Sequence, residues 1–271
     1  MLHPINLAIG ALFIAFILLD TLLPARKFPQ PDLWKVKGIV SALAYIALAT
    51  YSPYLWVSWM TGPVLFDASA LPIWAEFMLG YAAIQFMVYW WHRAMHKSDT
   101  LWRIFHQMHH SVERMDAWGS LYHHPLDVIG FTFVGSFALT MLVGITADAA
   151  AIVGVFGAGV VFFTHANIKT PQWIGWFIER PEGHGVHHQR GRHANNYGEL
   201  VIWDQIFGTW KNPREWNGEA GFYDGGSNRV LAMLIGRKID QDIPARESCD
   251  IRDAAPPQSH EHKLHLLETK R

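Results

Sequence analysis

Apolar residues run in long blocks through the first two thirds of the chain, and the polar residues between them fall in short clusters. Residues 5–23 are interrupted only by Asn6, Asp20 and Thr21, and a second block runs from Gly38 to Trp59. Residues 73–91, 126–145 and 149–163 make three more, the last two joined by Thr146-Ala147-Asp148. At 1.5 Å of rise per residue, about 20 apolar residues cross a hydrocarbon core of about 30 Å, so each block predicts a membrane helix. The closely joined last pair also fits a hairpin that stops short of crossing. The pattern therefore predicts an all-α fold: a polytopic membrane helical bundle of about four to five spans under a cytosolic helical cap. Residues 1–71 read as N-terminal spans and loops, 72–212 as further spans plus the cap, and 213–271 as a C-terminal cytosolic segment. Its end, residues 240–271, has Pro256-Pro257 and scattered charge and reads as a poorly ordered tail.

Composition supports the bilayer reading, with 51% hydrophobic residues, 13 Trp and 16 Phe in 271 residues. No basic stretch precedes the first block, which argues against a cleaved signal peptide. The 22 basic and 23 acidic residues nearly cancel, so no global field recruits nucleic acid. A single cysteine, Cys249, excludes an intramolecular disulfide, a four-cysteine zinc site and an iron-sulfur cluster. The placement of charge says more than its sum. Lys and Arg fall only in residues 24–37, 92–125 and from 165 onward. Basic residues near spans stay on the cytoplasmic side, so five spans with the N-terminus outside put all three segments on the cytosolic face.

Those same segments carry the chemistry. Of 16 histidines, 12 lie between His92 and His193, and none lies between residues 4 and 91. Residues three or four apart share a helix face, which pairs His92 with His96, groups His106 with His109 and His110, and groups His184 with His187 and His188. Eight imidazoles exceed what one iron, copper, zinc or nickel ion takes, so two metals are the economical reading. There is no His-Glu-x-x-His for a zinc protease and no Glu-x-x-His of a carboxylate-bridged di-iron bundle. Glu182, two residues before His184, is placed to orient a ligand from behind. Glu76, inside the third block, either has a role or reaches headgroups at the outer end. His3 and the tail histidines His260, His262 and His265 read as polar anchors.

The order His-x3-His, His-x-x-His-His, His-x-x-His-His resembles the fatty acid hydroxylase and sterol desaturase superfamily of integral-membrane di-iron oxygenases. His124-Pro125-Leu126-Asp127, His165-Ala166-Asn167-Ile168, Asn196-Tyr197-Gly198 and Trp203-Asp204-Gln205-Ile206-Phe207-Gly208-Thr209 are similar to further family marks. The likeness covers about residues 72–212, which makes that stretch the catalytic domain. It implies nine ligands for two irons: His92, His96, His106, His109, His110, His165, His184, His187 and His188. His124 and Asn196 stand behind them as supporting candidates beside Glu182. Three departures matter: Asp127 stands where Glu is usual, His123 adds an imidazole before His124, and Lys169 stands where some members have a further histidine.

The resemblance further implies an O2-dependent oxidoreductase that hydroxylates a C–H bond of a fatty acyl chain, sterol or related lipid. A desaturase would share every motif, and a histidine-rich metal transporter is a more distant alternative that predicts polar ligands along the spans. No dinucleotide-binding, haem or cytochrome b5 motif is evident, so electrons are expected from a separate reductase, ferredoxin or cytochrome b5 type donor. The expected place is a bacterial inner membrane, or the ER membrane in a eukaryote. Two segments suit the membrane surface: Pro171–Ile178 as an anchor or flank of an access route, and the short run Val230–Ile235.

Overall fold

A computed structural model describes residues 3–240. The expected tail from 241, with Cys249, His260, His262 and His265, lies outside the described residues. The chain is mostly helical, as its apolar blocks predict. Helix α1 (Pro4–Leu22) starts on His3, whose Nδ1 accepts from the Ile5 amide, with Pro4 at the first helical position. Helix α2 (Trp34–Tyr51) follows the proline-rich loop, and α3 (Ile73–Lys97) carries the first histidine pair. Three short pieces follow: α4 (Asp99–Leu101), a π-turn (Trp102–His106) and α5 (Gln107–His110). Then come α6 (Pro125–Phe137), α7 (Ala147–His165), α8 (Pro181–His187), α9 (Ile202–Ile206) and α10 (Val230–Leu234).

Among the described residues, four helical stretches are long and apolar enough to cross a membrane: Pro4–Leu22, Trp34–Leu55, Pro125–Leu142 and Ala147–His165. The last pair thus has full spanning length. The third block is the exception, since α3 has 25 residues but too many polar ones to join that set. Its polar groups are turned inward against other segments. Buried Glu76 accepts from the Thr146 amide at 2.6 Å at the start of α7, so it reaches protein rather than headgroups. Buried Gln85 holds the turn at residues 199–200: its Oε1 accepts from the Glu199 and Leu200 amides at 3.1 and 3.3 Å, and its Nε2 donates to the Glu199 carboxylate at 2.8 Å.

Burial pushes the Glu199 carboxyl up to about 7, with the Gln85 bond opposing. A carboxyl raised in the folded state contributes stability below its unfolded value, and that contribution is lost as pH rises through 7. Glu199→Gln, neutral throughout, should therefore raise the thermal midpoint in detergent at pH 8 and leave it near wild type at pH 5. An equal effect at both pH values would show that the carboxyl is not held neutral.

Helix α1 packs on α7, α3 on α6 and α7, and α2 on α6. Leu7, Ile14, Leu18, Val40 and Leu43 are exposed on the outer faces, as lipid-facing residues would be. A buried carboxylate joins these helices to the polar segments: Asp20 accepts from the Ala117 amide at 2.6 Å and from the Asn167 amide at 2.7 Å. Asp20→Ala would cost about 1–3 kcal/mol for each amide left without an acceptor. Unfolding in detergent should register the loss as a lower midpoint, and an unchanged midpoint would contradict this role.

Helices α4 to α5 and the polar residues that follow pack on the C-terminal segment through a core of Trp34, Trp102, Met108, Tyr122, Phe222 and Met233. The segment predicted to meet the membrane forms a 3-10 turn, Gln172–Trp176, and exposes Trp173, Trp176 and Phe177. Exposed Ile202 and Ile206 of α9 lie close by, since Gln205 donates to the Trp176 carbonyl. On α10, Met233 is buried while Leu231 and Ile235 are exposed, the one-sided pattern of a helix lying on a surface.

Candidate metal centre

The chain brings all nine predicted histidines together, in two groups. His92, His96, His106, His110 and His187 form one, and His109, His165, His184 and His188 the other; within each group the donor atoms lie within 4.8 Å of one another. The division follows from helical geometry. A step of four keeps two residues on one face and a step of one turns by about 100°. His106 and His110 thus join one group while His109 turns to the other. In α8 the roles reverse, with His184 and His188 in the second group and His187 in the first.

Every ring except His96 is buried, and His110, His187 and His188 are wholly so. Burial, then the neighbouring His92, holds His187 well below the ordinary histidine value; burial, then His188 and His187, does the same for His110. Burial, then neighbouring imidazoles, likewise depresses His109, His184 and His188. These five rings are therefore held in the neutral form, as metal ligation requires.

The five-membered group is held from behind by acceptors. His92 Nδ1 donates to the Tyr197 carbonyl at 2.8 Å, His96 Nδ1 to the His193 carbonyl at 2.9 Å, and His187 Nδ1 to the Asn195 carbonyl at 2.6 Å. His106 Nδ1 donates to the Asp127 carboxylate at 2.9 Å. A carbonyl or carboxylate only accepts, so each of these rings carries its proton on Nδ1 and a bare lone pair on Nε2. Yet His92 Nε2 lies 2.8 Å from His106 Nε2 and 3.0 Å from His187 Nε2. Lone pairs facing each other at that distance repel, and a cation between them would turn that repulsion into ligation. Metal–imidazole bonds of about 2.1 Å at right angles put neighbouring nitrogens about 3.0 Å apart, so the residues fit a metal ion. The second group has the same spacing: His165 Nε2 is 3.1 Å from His109 Nε2 and from His184 Nε2, and His188 Nε2 is 3.1 Å from His184 Nε2.

The predicted supporting residues are placed differently. His124 caps α6, its Nδ1 accepting from the Leu126 amide at 3.1 Å. It is His123 that turns toward the centre, donating to the same Asp127 carboxylate at 2.8 Å and stacking on His109 at 4.0 Å. Glu182 turns to Thr170, accepting from its amide and hydroxyl at 2.9 and 2.6 Å, and pairs with Arg180 at 3.1 Å. Asn196 bonds to backbone: its amide donates to the Gly183 and Lys211 carbonyls and its oxygen accepts from the Lys211 amide.

Sequence reasoning gave no role to His193 or Asn195, and marked Tyr197 and Asp204 only as parts of motifs. His193, Asn195 and Asn196 have φ of 41°, 74° and 50°, the left-handed region where Asn is comparatively common. This winding aims alternate carbonyls inward. Buried Asp204 accepts from the Tyr197 and Gly198 amides and the Thr209 hydroxyl, closing the turn. A signal was present in the Asn195-Asn196 pair ahead of Gly198.

Fold and site together define a polytopic helical protein built around paired clusters of converging imidazoles. Residues 77–209 match the fatty acid hydroxylase family. The chain is 32% identical over 146 residues to an ornithine lipid hydroxylase of Rhizobium tropici, covering 52% of this chain and 44% of that protein. It is 24% identical over 213 residues to a sphingolipid C4-hydroxylase of Saccharomyces cerevisiae, covering 76% and 55%. An alkylglycerol monooxygenase of Xenopus tropicalis is 30% identical over 141 residues, covering 51% and 31%. The chain thus spans about half or less of the length of these relatives. No solved structure matches it.

Proposed function

We propose that this chain is a membrane-bound, O2-dependent di-iron monooxygenase that hydroxylates a C–H bond of a lipid. The observation that carries the reading is the convergence of nine histidines as two groups of rings, all but His96 buried, with Nε2 atoms about one coordination edge apart. Two irons held there, by the nine named histidines, would supply the activation of O2 that an unactivated C–H bond demands. The balance is one C–H bond, one O2, two electrons and two protons giving one alcohol and one water. The electrons come from a separate donor of reductase, ferredoxin or cytochrome b5 type docking from the cytosol.

The chain's part is to hold the ligands, exclude water and position one carbon. Asp127 and the carbonyls of 193–197 fix the rings. Phe131 on α6, with its ring 6.0 Å from both His92 and His106, gives the centre an apolar side from which a hydrocarbon can approach. The exposed aromatics of 172–177 suit the level at which lipid headgroups lie. The relatives named for lipid hydroxylation support a lipid substrate, and the basic-residue pattern supports a cytosolic position for the centre.

The test uses the purified chain in lipid nanodiscs, loaded anaerobically with ferrous iron, given a chemical reductant and isotopically labelled O2, with host lipids supplied. Mass spectrometry should find one labelled oxygen in a lipid alcohol. An alkene without label would assign desaturation instead. Metal flux through proteoliposomes with no O2 consumption would overturn the enzyme reading.

A further inference from the structure

The two imidazole groups differ in what stands behind them. In the five-membered group every ring has a partner at Nδ1: Tyr197 O for His92, His193 O for His96, Asp127 for His106, Asn195 O for His187, and the His193 ring at 3.2 Å for His110. In the four-membered group, His165 has such a partner among the described residues, the Val161 carbonyl at 2.8 Å. His109 Nδ1 and His188 Nδ1 are buried with no hydrogen-bond partner, and His184 makes its ring contacts through Nε2. On the side away from the Nε2 contacts, those two rings meet stacked rings rather than hydrogen-bond acceptors, His109 on His123 and His188 on His110.

The difference bears directly on ligation. An unanchored neutral imidazole can carry its proton on either nitrogen and can turn about its own bonds, so binding must select one tautomer and one rotamer. An acceptor at Nδ1 makes that selection in advance and raises the basicity of Nε2. Partners of this kind are worth about 10–100-fold in metal affinity. One short turn supplies most of them. His193, Asn195 and Tyr197, alternate residues of a turn in which 193, 195 and 196 are left-handed, each present a carbonyl to a different ring, and the His193 side chain meets a fourth.

Resting on the reading that both groups hold metal, we infer that the two positions are unequal. The turn 193–197 and Asp127 are positioning residues that make the five-histidine position the retained one. The four-histidine position is the exchangeable one, the first to empty and the first to accept a competing ion. Asp127 also reaches toward the weaker group through His123, but that link ends in a ring stack rather than a hydrogen bond to a ligand.

The test follows metal rather than turnover. The full chain in nanodiscs is loaded anaerobically with ferrous iron, then mixed with excess chelator while released iron is read by absorbance. Two ions per chain should leave in two equal phases whose rates differ by at least tenfold. In His184→Ala the remaining ion should leave in the slow phase, and in His187→Ala in the fast phase. Asp127→Ala should speed the slow phase and leave the fast one unchanged, with Asp127→Asn, which keeps an acceptor oxygen, closer to wild type. Release of both ions in one phase, the reverse assignment in the two variants, or no effect of Asp127→Ala would overturn the inference while leaving two metals bound. Loading of fewer than two ions would instead overturn the reading beneath it. The wild-type time course decides even where a variant fails to fold.

Discussion

Alanine at His187 is expected to remove the ion of the five-histidine group and abolish lipid hydroxylation, while the protein stays folded in the membrane. His187 is wholly buried, its Nε2 is 3.0 Å from that of His92, and its Nδ1 is bonded to the Asn195 carbonyl. Removing the ring takes one donor from a set of five and leaves the Asn195 carbonyl without its donor. The spans are held by other contacts, since α1 packs on α7 and α2 on α6, although α8 itself also meets α7. His109→Ala should do the same to the other group. Iron per chain should fall from two to one in either variant, and product should fall below detection in both because the chemistry uses the pair. Metal analysis with mass spectrometry of the lipid product checks both statements, and retained turnover in both variants would refute the site.

The second large effect is expected at a glycine. A Cβ on Gly185 would sit 2.3 Å from Cε3 and 2.4 Å from Cδ2 of Trp216, far inside van der Waals contact. The indole is not free to swing away, because its Nε1 donates to Gln189 at 3.2 Å and the Arg26 guanidinium lies over its ring. Gly185→Ala must therefore push α8 off this surface, with overpacking worth about 1–3 kcal/mol. Because α8 carries His184, His187 and His188, a shift near 1 Å reaches both metal groups and should cost about a hundredfold in turnover. The companion change Trp216→Ala opens the space and should restore part of the activity in the double variant. Wild-type turnover in Gly185→Ala would show that α8 does not need this close approach.

Much of this was legible in the sequence, for reasons that differ by residue. The spans are readable because a bilayer imposes length and apolarity on each segment separately, as in α1 and α7. The two histidine groups are readable because a helix repeats at 3.6 residues, so His92 with His96 and His106 with His110 must share a face. Helix α3 was harder, since Glu76 and Gln85 find partners at residues 146 and 199–200, distant in sequence. The supports behind the rings were hardest. Carbonyls of His193, Asn195 and Tyr197 act through the backbone, which leaves almost no trace in side-chain identity. His123 and His124 could not be ranked by spacing either; capping of α6 claims His124 and leaves His123 for Asp127.

The split of neighbouring residues between groups has a mechanical meaning. His109 and His110 are consecutive, as are His187 and His188, and each pair straddles the two groups. Successive Cα atoms are fixed at about 3.8 Å by the planar peptide. The distance between the two positions is thus gauged twice by covalent geometry, on α5 and at the end of α8, and not by a loop. Any rotation of either helix displaces a donor of both groups at once, so the two positions are mechanically linked rather than two independent pockets.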